Sequence, residues 1–476
     1  MSRTKLIKFA VSILVGILLW NFPMPIGVEP KAWHLFSIFV ATITAIILKP
    51  FPMGTLALMG MLAATLTGVL TLEEGLSGFS KSIIWLVVFV FFIARGFVKT
   101  NLGTRVAYCF VRLLGSSTLG LGYGVIFTEL VIAPFVPSNS ARTGGIMLPI
   151  IKSISEALGS SPKNHTEKKL GSFLAQVSFH GNLITSAMFL TAMAANPLAQ
   201  SLAMQQGVEI TWINWFNAAI IPGLVSLIVI PFVLYIIYPP KVRYFPEAVD
   251  LAKNRLREMG PMSAKEWTMA GIFFIMLVLW MVGETADFEF IFGVKISAPT
   301  AALLGLCLLL AANVIDWRDV LLEHEAWHTL VWLAILVTMS TFLDKFGFIG
   351  WFSGSVGEIV KGWSWQMAFL TLILSYFYSH YFFASNTAHV SSMYAAFLMV
   401  SISVGTPPLL AALVLAFFSS LFSSMTHYGT SAGAVLYAAG YVTLPDWWKN
   451  GLIISVVNIL IWLGIGGLWW KVLGIW

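Results

Sequence analysis

Charge is what this chain has least of. Only 10% of its 476 residues are Asp, Glu, Lys or Arg, against roughly 25% in soluble globular domains. So few charges do not clothe a water-soluble surface, and a hydrophobic content of 58% places the chain in a lipid bilayer. Cysteine is nearly absent. Cys109 and Cys307 are the two present, both in apolar stretches, which excludes a disulfide framework and a cysteine metal centre. A cleavage signal is missing as well. The opening "MSRTKLIKFAVSILVGILLW" has basic flanks and an apolar core, but no small-residue site follows before "NFPMP", so it reads as a retained first helix. The net charge of +6 carries no nucleic-acid meaning here, because Lys and Arg in a membrane protein mark cytoplasmic loops.

What is there is a series of apolar runs, at about 9–27, 32–48, 54–72, 82–98, 170–195, 214–239, 267–283, 297–314, 328–343, 408–438 and 449–473. They suit helices rather than barrel strands and predict an all-α integral membrane protein with about eleven transmembrane helices. Arg3, Lys5 and Lys8 set the N-terminus on the cytoplasmic side of the inner (plasma) membrane. Counting spans forward, the inside segments then hold Lys49, the group Arg95, Lys99 and Arg105, and the group Lys152, Lys163, Lys168 and Lys169. The polar stretch 241–265 adds Lys241, Arg243, Lys253, Arg255, Arg257 and Lys265. Outside segments carry acidic residues instead, among them Glu73, Glu74, Glu284, Asp287 and Glu289.

Two regions do not read as simple spans. "PSNSARTGG" (137–145) and "ASNTAHVSS" (384–392) place small polar residues and one basic residue inside otherwise apolar sequence. The charge pattern keeps both ends of each region on one side. This predicts two re-entrant hairpins, near 113–151 and near 362–406, with their tips buried in protein near mid-membrane. The chain also repeats itself. "IWL" (84–86) matches "VWL" (331–333), and Ser138-Asn139 matches Ser385-Asn386 at the same offset. "TSA" recurs at 185–187 and 430–432, and "TWINWF" (211–216) resembles "TLPDWW" (443–448). An odd number of spans separates equivalent points, so the repeats are expected to be inverted, as in secondary transporters. The expected organisation is an N-terminal helix (1–30), a first repeat (31–240), a cytoplasmic linker (241–265) and a second repeat (266–476).

Each hairpin tip is where a short helix begins, with unpaired N–H groups and a positive dipole end. Two such ends facing each other make an anion site. The Asn139 and Asn386 amides and the Ser140 and Thr387 hydroxyls would hydrogen-bond a carboxylate there. The plainer reading is that Ser138 and Ser385 only cap helices. Downstream, "SFHGNLITSA" (178–187) and "SSMTHYGTSA" (423–432) are expected to interrupt their apolar runs at Gly181 and Gly429. They would offer Asn182, Thr185, Ser186, Thr430 and Ser431 to the same site, unless the hydroxyls merely bond back to their own helices. Arg142 and His389 sit where acidic partners are scarce, and an intramembrane Arg marks function. "HEAWH" (324–328) matches the H-E-x-x-H zinc pattern of His324, Glu325 and His328, but it lies at an interfacial helix start and lacks an obvious third ligand.

These paired Ser-Asn-hydroxyl motifs resemble the divalent anion/sodium symporter family, over nearly the whole chain and including "GYVTLPDWW" (440–448). The resemblance implies that Ser138, Asn139, Ser140, Ser385, Asn386 and Thr387 contact substrate carboxylate and help frame sodium sites. Ser140 departs from the family's usual Thr but keeps the hydroxyl. "PSNSARTGG" is most similar to the exchanger branch of citrate/succinate and tartrate/succinate antiporters and 2-oxoglutarate/malate translocators. That implies a homodimeric carrier, not an enzyme, without cofactor or metal, exchanging dicarboxylates of the 2-oxoglutarate, malate, succinate and fumarate class, with citrate and tartrate as further candidates. Arg142 and His389, the latter when protonated, would then compensate substrate charge in place of sodium. Sodium-coupled symport and a zinc metalloenzyme built on HEAWH are the alternatives.

Overall fold

A computed structural model describes residues 3–359 and 362–476. Each of the eleven apolar runs is mostly helical, and the described residues contain no strand, only an isolated bridge between Ser117 and Tyr244. Eight helices among the described residues are long and apolar enough to cross a bilayer, and Met53–Leu66, Ala298–Ala311 and Pro408–Ser424 are shorter apolar ones. The first helix, Arg3–Asn21, buries only Ser12 and lies on the outside of the bundle. Trp33 of the next helix, Pro30–Leu48, ties it down by donating its indole N–H to the Leu19 carbonyl at 2.9 Å.

The opposite extreme is Gly171–Met188. All 18 of its residues are buried. A helix sheathed by other helices does not face lipid, so it tolerates Gln176, His180, Asn182 and Thr185 where a peripheral span would not. This helix runs unbroken through Gly181, contrary to the expected interruption there, and the chain breaks only afterwards, in a 3₁₀ turn at Leu190–Ala192. In the second half the break falls within the expected segment, at residues 425–430, before a new helix begins at Ser431.

The two motif regions are built alike. Thr118–Ile132 leads into a 3₁₀ turn at Ala133–Phe135, an extended corner, and a returning helix that is α at 139–140, π at Ala141–Met147 and α again at Leu148–Ala157. Trp365–Ser379 leads into a 3₁₀ turn at His380–Phe382, an extended corner, Asn386–His389, a π turn at Val390–Tyr394 and Ala395–Ser403. Thr118 and Trp365 are 247 positions apart, and so are Ala133 and His380, and Met147 and Tyr394. Pro134 and Pro137 end the first outgoing arm, because each lacks the N–H a continuing helix needs. That arm with its turn, Thr118–Phe135, is 18 residues long, about 27 Å at 1.5 Å per residue. It therefore has the length of a short span.

Candidate substrate site

Each corner begins with a working cap. Ser138 Oγ accepts from the Ala141 N–H at 3.2 Å and lies 3.0 Å from Ser140 Oγ. Ser385 Oγ accepts from the Ala388 N–H at 3.4 Å. Both serines therefore cap helices, and capping leaves a site role open to them. The cap fixes the first turn, and the residue that follows it is aimed inward.

Those following residues are Asn139 and Asn386, and they meet. The Asn139 Nδ2 group donates to the sulfur of Met193 at 3.6 Å, and the Asn386 Nδ2 group donates to the same sulfur at 3.4 Å. Asn386 Nδ2 also donates to the Ser419 carbonyl at 3.0 Å, but a thioether is a weak acceptor, so one N–H from each of the two corners converges on a point that offers no strong acceptor. Their carbonyls, by contrast, are well held. Asn139 Oδ1 accepts from Ser186 Oγ at 3.1 Å, and Asn386 Oδ1 accepts from Ser423 Oγ at 3.2 Å. The amides are thereby oriented with N–H forward.

In front of them lies a cavity of about 290 Å³, lined by Ser138, Asn139 and Ser140 from one corner and Ser385, Asn386 and Thr387 from the other, with Thr430 and Ser431. Thr185 and Ser186 are not on its wall. Because their helix stays intact, Thr185 Oγ1 turns back to the Asn182 carbonyl at 3.2 Å, and Ser186 supports Asn139 from behind. Placing these two at the substrate is corrected accordingly. A cysteine introduced by Ser140→Cys is expected to react with aqueous thiol reagents through the cavity and to be shielded by bound anion. Labelling indifferent to substrate would place the corner in a water-exposed loop instead.

Arg142 is not in the cavity either. It is fully buried, and its Nε donates to Glu129 Oε2 at 3.1 Å. Its two terminal nitrogens reach the carbonyls of Val136 and Ala192, Ser186 Oγ and Asn139 Oδ1. Asn182 donates to Glu129 as well, at 3.3 Å. In the sequence, acidic partners for this arginine are scarce. The structure supplies one, so its charge is matched inside the protein and does not act as a bare cation on the substrate.

The second corner differs. His389 is buried in a stack with Phe383 and Phe422, each 4.5 Å away between ring centres. Its Nδ1 lies 3.1 Å from His380 Nδ1, and His380 Nε2 lies 3.0 Å from the Gly429 carbonyl. A Cβ at Gly429 would come within 2.9 Å of His380 Nε2, so this close approach requires glycine. Where Glu129 faces Arg142, the residue 247 positions on is Tyr376, whose ring packs 4.6 Å from His389 and whose hydroxyl pairs with Ser419. The first corner thus holds a cation with its carboxylate, and the second an imidazole pair with no carboxylate.

Sequence reasoning passes over several wall residues. Met193 carries no motif, Tyr428 lies in "SSMTHYGTSA" without being singled out there, Lys49 reads as an ordinary inside-loop cation, and Glu325 and His328 read as part of a zinc pattern or an interfacial helix start. All line the cavity. His328 Nε2 accepts from the Gly54 N–H at 3.1 Å, so its lone pair is already engaged. Among the described residues no group of three or more His, Cys, Asp or Glu could hold a metal ion.

Comparison with known proteins agrees with this architecture. Residues 3–476 match the family described as the sodium:sulfate symporter transmembrane region. The chain is 52% identical to the putative malate transporter YflS of Bacillus subtilis, covering 100% of this chain and 98% of that one. It is 50% identical to the chloroplastic dicarboxylate transporter 1 of Spinacia oleracea, covering 98% and 81%. It is 31% identical to the citrate/succinate antiporter of Escherichia coli, covering 100% and 99%. In fold it is similar to the Alcanivorax borkumensis YdaH transporter, with a TM-score of 0.55 at 13% identity over 98% of each chain. The chain is therefore a multi-pass membrane protein of the sodium:sulfate symporter transmembrane family, the divalent anion/sodium symporters.

Proposed function

We propose that this protein exchanges dicarboxylates across a membrane by alternating access, without sodium, and with its N-terminus on the cytoplasmic side. The observation that carries the reading is the convergence of the Asn139 and Asn386 amides on Met193 at the floor of a small cavity. A carboxylate replacing the thioether gives both amides a charged acceptor, which a sulfur does not. A volume of about 290 Å³ is at the small end for ligand pockets, which run from about 300 Å³ upward, and suits a small organic anion. Relatives named as dicarboxylate transporters and as a citrate/succinate antiporter support the same substrate class and exchange. The matched corners and their offset of 247 support a two-repeat carrier, and the loop charges support inversion of one repeat against the other.

Sodium independence has its own support. Unwound backbone carbonyls and polar side chains are what transporters use to hold a sodium ion. Behind Asn139 that oxygen set consists of Val136 O, Ala192 O, Ser186 Oγ and Asn139 Oδ1, and the Arg142 guanidinium fills it. A covalently held cation there occupies the place a sodium ion would take at the first corner.

Asn139→Ala and Asn386→Ala are each expected to weaken dicarboxylate binding by roughly 1–3 kcal/mol, since a buried carboxylate oxygen loses a donor. Counterflow of labelled succinate in proteoliposomes measures this. Wild-type affinity in both folded variants would move the substrate elsewhere.

A further inference from the structure

Two amides are neutral donors, and the Arg142 charge is spent on Glu129. A dicarboxylate seated on Asn139 and Asn386 would still carry a second carboxylate without a cation. Among the residues lining the cavity there is one Lys or Arg, and it is Lys49.

Its placement is specific. Lys49 closes the Pro30–Leu48 helix in the left-handed conformation, φ 53° and ψ 49°, with its N–H on the Ala45 carbonyl at 2.9 Å. Non-glycine residues adopt this conformation uncommonly. Here the turn leaves the Lys49 side chain on the cavity wall. The ammonium donates to the Ala384 carbonyl at 3.3 Å, directly before the cap Ser385. An ammonium has three donors, and this one contact uses one of them. Lys49 takes part in none of the ion pairs found among the described residues. The cavity's carboxylate, Glu325, is not within pairing distance of it, and His328 is held by Gly54. Lys49 is thus an unpaired cation beside the second corner, facing the same space as the two amides.

We propose that Lys49 is the specificity-determining residue that binds the second carboxylate of the substrate, so that the site selects dianions over monoanions of the same size. This rests on the exchange function proposed above and names the group that reads the substrate's charge. Ser138, Asn139, Ser385 and Asn386 recognise one carboxylate, and Lys49 recognises the presence of another. A hydrogen bond to a charged group is the stronger kind, so the preference should be large.

The test is competition against labelled succinate counterflow in proteoliposomes of the full chain, by succinate and by its monomethyl ester. The wild type is expected to bind the diacid roughly 10- to 100-fold more tightly than the half-ester, the range for a charged hydrogen bond. Lys49→Gln should bring the two within about threefold, and Lys49→Arg should restore the preference. If Lys49→Gln does not transport, the same ratio is read from ligand-induced shifts in Tm of the purified protein, since a ligand that binds only the folded state stabilises it by RT ln(1 + [L]/Kd). A Lys49→Gln protein that keeps the wild-type preference overturns the assignment while leaving exchange standing. A wild type that exchanges no succinate overturns the exchange function itself, and the assignment with it.

Discussion

Liposomes preloaded with dicarboxylate are expected to take up labelled succinate at least about tenfold faster than empty ones, and replacing sodium by choline should change neither rate. The expectation comes from what fills the site between turnovers. In a sodium symporter the ions leave with the substrate, and the empty carrier returns without net charge at its centre. Here the cation behind Asn139 is Arg142, which cannot leave. Glu129 matches that charge, so Arg142 itself adds no barrier, but the unpaired Lys49 ammonium remains on the cavity wall. That ammonium is exposed in this structure, and it loses its water when the site closes unless an anion pairs with it, at a cost that rises with burial, and each 1.4 kcal/mol is a factor of ten. A second dianion pairs one carboxylate with the ammonium and sets the other against the two helix N-termini, about +0.5 each. Strong uptake into empty liposomes, driven by an inward sodium gradient, would assign sodium-coupled symport instead.

Glu129→Gln is expected to destabilise the protein by about 3–5 kcal/mol, the cost of leaving a buried charge without its partner. Glu129 and Arg142 are both fully buried, and neither reaches water to recover its solvation. The guanidinium would keep its carbonyl and hydroxyl contacts but lose the one negative group that balances it. Arg142→Met should also destabilise, because the Glu129 carboxylate then stands alone with Asn182. Combining the two changes should cost less than their sum by roughly 1–3 kcal/mol, the coupling expected of contacting residues. Thermal denaturation of the four purified proteins measures the cycle. Strict additivity would show that the pair does not act as a unit.

Much of the architecture is legible in sequence because its causes are local. A run of apolar residues long enough to span a bilayer has to be a helix, since backbone groups in hydrocarbon must be satisfied within the segment. Each of the eleven runs is mostly helical for this reason. The corners are legible too. Pro134 and Pro137 stop one helix, and Ser138 and Ser385 start the next, so the start of each returning helix is written within a few residues. The side of the helix that a hydroxyl serves is less so. Thr185-Ser186 and Thr430-Ser431 share the tripeptide Thr-Ser-Ala, yet the first pair lies inside an unbroken helix and the second begins one.

Sequence alone therefore determines that the chain lives in a membrane, where its helices run, and that two Ser-Asn corners form a related pair. Only the tertiary structure decides which groups are charged partners and which face the cavity. Glu129 lies 13 residues before Arg142, on a separate helix, and Lys49 meets Ala384 from 335 residues away. Hydropathy records how apolar a segment is, and a periodic pattern records which face is buried. Neither records what the buried face touches. In a bilayer, where a cation must find its partner inside the protein or in a water-filled cavity, that contact settles its role. Arg142 is paired behind the site, and Lys49 is unpaired within it.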